Sequence, residues 1–291
     1  MENRVYYHAD DFGVSMKQTA IMVDCNENGV LNSVSIMPNT GHCEECFAEI
    51  DSKVKNGEIR CVVHLNFIEG PSLAPAESVP HLLNEKGMLG CSFVSVLKMN
   101  YSSKREMFKQ ELKREIEAQI ARVVSLTGTK KINIDSHQHF HMIPIVWEAI
   151  MEVVSEQGYE IEYLRISLDP LSILVSTPSV WRYLKPMNLI KWLLLGFLCP
   201  GKKKLQETGA KIPVFFGLFF TCEMKWDVVQ ILLPKYQAYA EKRNRDLELM
   251  FHPGAVVDEA ELLDASNLEL KEFYASSNRE DEKRTLMTLK S

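Results

Sequence analysis

Acids and histidines gather at four places along this sequence. Asp10 and Asp11 fall in His8-Ala-Asp-Asp-Phe-Gly, and His64 stands before Leu65 and Asn66. Asp135, His137, His139 and His141 alternate in Asp-Ser-His-Gln-His-Phe-His, and His252 opens His-Pro-Gly. One carboxylate and two imidazoles make a mixed oxygen and nitrogen donor set, which suits a divalent transition ion and leaves positions open for water and substrate. Such an ion polarises a carbonyl and lowers the pKa of its water. Neighbouring aspartates point to opposite sides of an extended chain. A turn at Asp10–Asp11 is therefore needed if one is to bind metal while the other acts as base. A separate histidine, His252, is available to protonate a departing amine. This inventory fits hydrolysis of an amide or ester without a covalent intermediate. The sequence holds no Gly-x-Ser-x-Gly elbow, and none of its seven cysteines has an evident histidine partner, so nucleophilic catalysis is disfavoured.

Taken singly, most of these groups have a plainer role. Asp-Asp-Phe-Gly can shape a turn, His64 can be a packed histidine, and His252 can be a turn residue before Pro253. Three histidines alternating beside an acid are harder to assign to packing. Each of the four groups also follows or ends an expected strand. Val5 to Tyr7 begins the first, and a helix from about Met16 follows, with Ser15 as N-cap and Gly29 as stop. Further strands are predicted at Ser33–Met37, Arg60–His64, Lys131–Asp135, Ile161–Ile166, Val214–Phe220 and Leu247–Phe251. Leu112, Ile116, Ile120 and Val123 share one face of a long helix over Ser103–Leu126, and Pro144 starts another.

Short β-rich runs alternating with amphipathic stretches predict βα units, a largely parallel sheet and an α/β fold that closes as a barrel or a variant of one. No domain boundary interrupts residues 1–291. The segment 170–207 lacks the rhythm and reads as an insertion of helix and loop over one face. The charged tail after Asn278 reads as a surface helix. In such folds the carboxyl ends of the strands meet at one face, where catalytic groups collect.

Composition narrows the partners. Apolar residues make up 46% and charged residues 25% of the 291, with a net charge of −6 and no long Lys/Arg block, so nucleic acid is a poor partner. The most apolar stretch, Met187 to Cys199, carries Lys191 and falls short of the ~20 residues that a membrane span needs. It is expected to be a buried helix, a lid or the contact of a homodimer, with no membrane partner. A charged N-terminus with no apolar h-region, read as no secretory signal, and an odd number of irregularly spaced cysteines predict a cytoplasmic protein. Cys43 and Cys46 form a lone Cys-x-x-Cys, a weak signal for zinc or redox use.

The four motifs together resemble the YdjC/ChbG carbohydrate deacetylases. His8-Ala-Asp-Asp-Phe-Gly is similar to their opening segment, His64-Leu-Asn to a second, Asp135-Ser-His-Gln-His-Phe-His-Met-Ile-Pro to their signature, and Met250-Phe-His-Pro-Gly to a fourth, in the same order from residue 5 to 254. The resemblance implies a single-domain distorted (β/α) barrel, similar to a TIM barrel. It implies one divalent metal ion, zinc or magnesium, held by Asp11, His64 and His137, with Asp10 as base and His252 as proton donor. His139 is the runner-up ligand, because alternation alone does not choose between it and His137. Arg165 resembles an arginine that the family places near its pocket, so Arg165 and His139 are the candidate substrate contacts. The implied reaction removes N-acetyl groups from chitobiose-like amino-sugar oligosaccharides. Competing expectations are hydrolysis of another amide or of a phosphoester at the same metal, and a catalytically silent sugar- or metal-binding protein. His8 and Phe251 depart from the family's usual residues, the segment 170–207 is long and apolar, and the chain stops soon after Arg279.

Overall fold

Runs of β-branched and aromatic residues, each bounded by turn formers, build seven strands in the computed structural model, which describes residues 3–255 and 268–290. They are β1 (Val5–Phe12), β2 (Ser33–Ile36), β3 (Arg60–Leu65), β4 (Lys131–Ser136), β5 (Glu160–Leu164), β6 (Val214–Phe216) and β7 (Leu247–Phe251). All pair in parallel, in the order β5-β4-β3-β2-β1-β7-β6. The two edge strands meet through Lys211, just ahead of β6. Its N–H donates to the Glu162 carbonyl at 2.9 Å, and its own carbonyl accepts from Leu164 at 3.0 Å. This bridge joins the two edges of the curled sheet, which forms the distorted (β/α) barrel that the family resemblance implies.

The flanking helices follow their sequence signals. Helix Met16–Glu27 starts at Ser15, whose hydroxyl accepts from the Gln18 N–H at 3.2 Å. It stops at Asn28, one residue ahead of the predicted Gly29. Helix Arg105–Thr127 buries Leu112, Ile116, Ile120 and Val123 as its 3.6-residue period requires. Helix Pro144–Gln157 opens on its proline, where a missing N–H costs nothing. Cys43 and Cys46 sit buried at the start of a short helix, and burial pushes the Cys43 thiol up to about 12. A protonated thiol is a poor metal ligand or redox centre.

Three sequence expectations change in the structure. The strand predicted over Val214–Phe220 ends at Phe216 because a side chain captures the next amides. The Asp169 carboxylate accepts from the N–H groups of Gly217, Leu218 and Phe219 at 2.9, 2.8 and 3.1 Å, and from the Tyr236 hydroxyl at 2.8 Å. These amides turn away from the sheet, and the loop after β6 is tied to the end of β5. We expect Asp169→Ala to destabilise the fold by about 3 kcal/mol or more, since each stranded buried donor costs roughly 1–3 kcal/mol. Asp169→Asn, which keeps an acceptor oxygen, should lose less; urea unfolding of the two variants checks this ordering.

The tail is the second change. Helix Asn278–Thr288 is no surface helix: Arg279, Glu282, Thr285 and Leu286 are buried on one face. Glu282 accepts from the Met224 N–H at 3.0 Å, and the Leu286 carbonyl accepts from Val30 at 3.2 Å. The spacing of those four residues is helical, although the charge around them hides it. Third, of the buried helix, lid or homodimer contact expected for Met187–Cys199, the structure removes the first: helix Pro186–Leu198 of the 170–207 insertion is not buried. Only Asn188, Leu195 and Leu198 of its residues are, while Leu193 and Phe197 are 59% and 81% exposed.

Candidate metal and catalytic centre at the carboxyl ends of the strands

The strand ends bring the acids and histidines together. The pairing of β1 with β2 shifts register between Ala9 and Phe12, and Asp11 takes a positive φ of 63°. Aspartate is one of the few residues that tolerates this left-handed conformation. The kink cancels the alternation of an extended chain, so both aspartates serve one cluster. Asp10 accepts from both terminal nitrogens of Arg165, at 2.9 and 2.8 Å, and lies 3.1 Å from His8 Nε2. Asp11 Oδ1 lies 2.9 Å from His137 Nδ1 and 3.4 Å from His64 Nε2.

Register fixes the next pair. His64 of β3 stands beside Asp135 of β4, and its Nδ1 donates to Asp135 Oδ1 at 2.7 Å. The other oxygen of Asp135 accepts from Ser35 at 2.5 Å and from Arg165 at 2.9 Å. After β4 the chain leaves the strand conformation, with Gln138 and His139 at φ of 48° and 63°. The three alternating histidines therefore part company. His137 turns to Asp11, His139 meets Ser167 at 2.9 Å, and His141 bonds Ser136 and the Arg165 carbonyl. His252, at the end of β7, places Nε2 3.9 Å from Asp10 Oδ2.

Arg165 is fully buried rather than a surface ion-pair partner. Its remaining nitrogen donates to Glu248 at 2.6 Å, so the guanidinium faces three carboxylates and no open pocket. His139, 8% exposed, stands outside the Asp11 cluster. Glu69, Glu248 and Glu282 also reach the centre, and none belongs to the four motifs. Glu69 lies 3.9 Å from His137 Nε2 and accepts from the Tyr274 hydroxyl at 2.9 Å. Glu282 holds the backbone N–H of His252. Glu248, an acid inside the apolar run Leu-Glu-Leu-Met-Phe, was the one with a signal in the sequence.

Two donor groups could take a cation by distance alone. In each, the ligand atoms lie within 4.8 Å of one another: Asp11, His64 and His137 in one, His8, Asp10 and Asp135 in the other. Arg165 already occupies the second as its counter-charge. In the first, Asp11 Oδ2, His64 Nε2 and His137 Nε2 are buried without a hydrogen-bond partner. Buried polar atoms rarely go unsatisfied, and these three have the chemistry of a metal site. His64 also carries its carboxylate on the far nitrogen, the arrangement that aims an imidazole lone pair at a metal.

Charge in the cluster runs the same way. Burial opposes ionisation of Asp10 and Asp11, yet Arg165 beside the first and His137 beside the second hold both carboxyls well below the usual range. Burial likewise opposes protonation of His64, but Asp135 and Asp11 outweigh it and push the ring up to about 10. His137 is raised by Asp11 against the same burial. A cation bound there would compete with protons for these two rings. The outer histidines behave oppositely: burial drives His8, His141 and His252 down to about 4.

That contrast predicts a pH dependence of stability. Between about pH 6.5 and 4 the unfolded chain binds protons at these histidines that the folded chain refuses, so the stability that these rings contribute is present above that window and lost on acidification through it. Each ring contributes on the order of 3 kcal/mol of loss by the lower end. Burial acts the other way on the carboxyls of Glu248, Glu282 and Asp169, raised to about 8, 7 and 6, which keep protons in the folded chain that the unfolded chain releases. Urea midpoints measured from pH 7 to 4 on metal-free protein should therefore fall less, or rise more, for His141→Gln than for the parent.

A family model described as YdjC-like protein matches residues 4–290. A Serratia marcescens protein named chitooligosaccharide deacetylase is 28% identical over 178 residues, covering 61% of this chain and 66% of that protein. A Danio rerio protein named carbohydrate deacetylase is 29% identical over 163 residues, covering 55% of this chain and 49% of that one. The chain thus spans about half to two thirds of the length of these relatives. The crystal structure of an Enterococcus faecalis protein, described as a candidate cellobiose-phosphate cleavage protein, shares the fold. Its TM-score is 0.64 at 17% identity, covering 100% of this chain and 93% of that one.

Proposed function

From the premise that the chain belongs to the YdjC-like family, we propose that it is a metal-dependent hydrolase that removes N-acetyl groups from small amino-sugar oligosaccharides. The observation that carries this reading is the set of three orphaned donor atoms on Asp11, His64 and His137, set beside the Asp10–Arg165 pair and His252. Relatives named chitooligosaccharide and carbohydrate deacetylases supply the substrate class.

Asp11, His64 and His137 would hold one divalent ion, and two imidazoles favour zinc or another transition ion over magnesium. When bound, the ion supplies Lewis acidity to a carbonyl oxygen and to a water. Arg165 aims the Asp10 carboxylate and holds its pKa well below the usual range, which favours the ionised form that a base needs. That readiness comes at the expense of basicity. His252 rests neutral because burial disfavours its charged form. It must gain its proton during turnover, and Asp10 Oδ2 at 3.9 Å from its Nε2 is a suitable source through one bridging water. His252 then delivers that proton to the leaving amine. Arg165 acts on this chemistry as a positioning residue through Asp10, and His139, bonded to Ser167, takes no part in it.

The test is acetate release from N,N'-diacetylchitobiose by chelated protein, with and without added zinc or magnesium. Release that depends on metal supports the reading. Full release without any metal, or none with either ion, overturns it for this substrate.

A further inference from the structure

The insertion between β5 and β6 presents a surface that the proposed reaction does not use. Helix Pro186–Leu198 turns Asn188 and Leu195 inward. Its anchors are the Asn188 amide on the Phe219 carbonyl at 3.0 Å, the Trp192 N–H on the Asp169 carbonyl at 2.9 Å, and the Trp192 ring stacked on Phe219 at 5.7 Å. By the helical period, Leu189, Ile190, Leu193 and Phe197 stand on the opposite side. They are 42%, 56%, 59% and 81% exposed, with Met187 and Trp181 exposed beside them. A helix apolar on its outer face as well as its inner one is covered by something in use.

Charge identifies what covers it. From residue 170 to 206 the chain carries Arg182, Lys185, Lys191, Lys202, Lys203 and Lys204 and no acid, within a chain of net charge −6. Of these, Lys185 is paired with Glu223 at 2.9 Å, and Lys203 reaches Glu207 only at 3.9 Å. Lys202, Lys203 and Lys204 are exposed at the start of the next short helix, Lys202–Glu207. A second copy of this chain is a poor cover, because a two-fold contact sets the same patch against itself and would oppose basic residues to basic residues. A bilayer surface bearing anionic headgroups matches both properties, taking the apolar side chains below the headgroups and the lysines at their level.

We propose that the face formed by helix Pro186–Leu198 and the Lys202–Lys204 turn docks this protein on anionic membrane surfaces. No described helix is long and apolar enough to cross a membrane. The proposal departs from the expectation of no membrane partner, which rests on the run being too short to cross. A helix of this length lies in the interface. The site and its chemistry are independent of the proposal, because the anchoring residues are neither ligands nor proton carriers.

The test is co-sedimentation of the full chain with phosphatidylcholine vesicles and with vesicles in which about one third of the lipid is phosphatidylglycerol. Strong partition onto the anionic vesicles alone is expected, with loss on raising salt from about 0.1 to 1 M. Replacing Lys202, Lys203 and Lys204 by Gln should weaken binding about fivefold per lysine. Phe197→Glu and Leu193→Glu should abolish it with an unchanged melting temperature, since both side chains are exposed. Protein left in the supernatant with anionic vesicles overturns the proposal. So does a dimer in sedimentation equilibrium that Leu193→Glu dissociates, because the face then belongs to a second copy.

Discussion

Asp11→Asn is expected to lower acetate release by at least about a thousandfold and to strip the bound metal, while the protein stays folded. The magnitude follows from losing several kcal/mol of Lewis-acid stabilisation at about 1.4 kcal/mol per tenfold. The ligand is lost because an amide is a far weaker donor than a carboxylate to a divalent ion, and because His137 and His64 lose the charge that fixes their rings at 2.9 and 3.4 Å. Folding survives for a local reason. Asparagine accepts the left-handed backbone that Asp11 holds at φ 63° as readily as aspartate does. Metal content per chain, circular dichroism and turnover, measured on one preparation, check all three parts. Retained metal with retained turnover would remove Asp11 from the ligand set.

Arg165→Met carries the largest expected effect on stability. The guanidinium is fully buried and serves Asp10, Asp135 and Glu248, so its removal leaves three buried carboxylates short of their counter-charge. Breaking a buried pair from one side costs about 3–5 kcal/mol. Arg60, which holds Glu248 at 2.5 Å, offsets part of this. The sign of the accompanying pH effect is fixed. Arg165 depresses the carboxyls of Asp10 and Asp135, and that stabilisation is present above the unfolded carboxylate pKa and fades as pH falls toward the folded one. Without the arginine both carboxyls rise, so the variant should lose stability and turnover at a higher pH than the parent. Arg165→Lys keeps the charge but not the fork that meets Asp10 with two bonds, and should recover stability better than turnover. Urea unfolding and a pH–rate profile separate the two. A variant as stable as the parent, with an unmoved acidic limb, would show that Arg165 is no determinant of Asp10.

Much of this protein is legible in order along its sequence. The strands read as β-rich runs, the long helix as an apolar period, and the four motifs as residues at strand ends. His64 and Asp135 are neighbours because β3 and β4 pair in register, each residue standing one place before the end of its strand. Local signals suffice for such features, since the periods of side-chain direction are set by the backbone itself.

What the sequence left open depends on contacts between distant segments. That His137 and not His139 lies beside Asp11 follows from the positive φ values at Gln138 and His139, which break the alternation that the spelling of the motif implies. The length of β6 was decided by Asp169, from 45 or more residues upstream in the chain, and the burial of the last helix by Met224 and Val30. Glu69, Glu248 and Glu282 enter the centre from a loop, a strand and a charged tail, and only Glu248 stood out against its neighbours. The outward apolar face of helix Pro186–Leu198 is the reverse case. Its composition reads as buried, and only the packed structure shows which side has no neighbour. Composition fixes how apolar a helix is, whereas the number of faces that find cover is a property of the assembled chain.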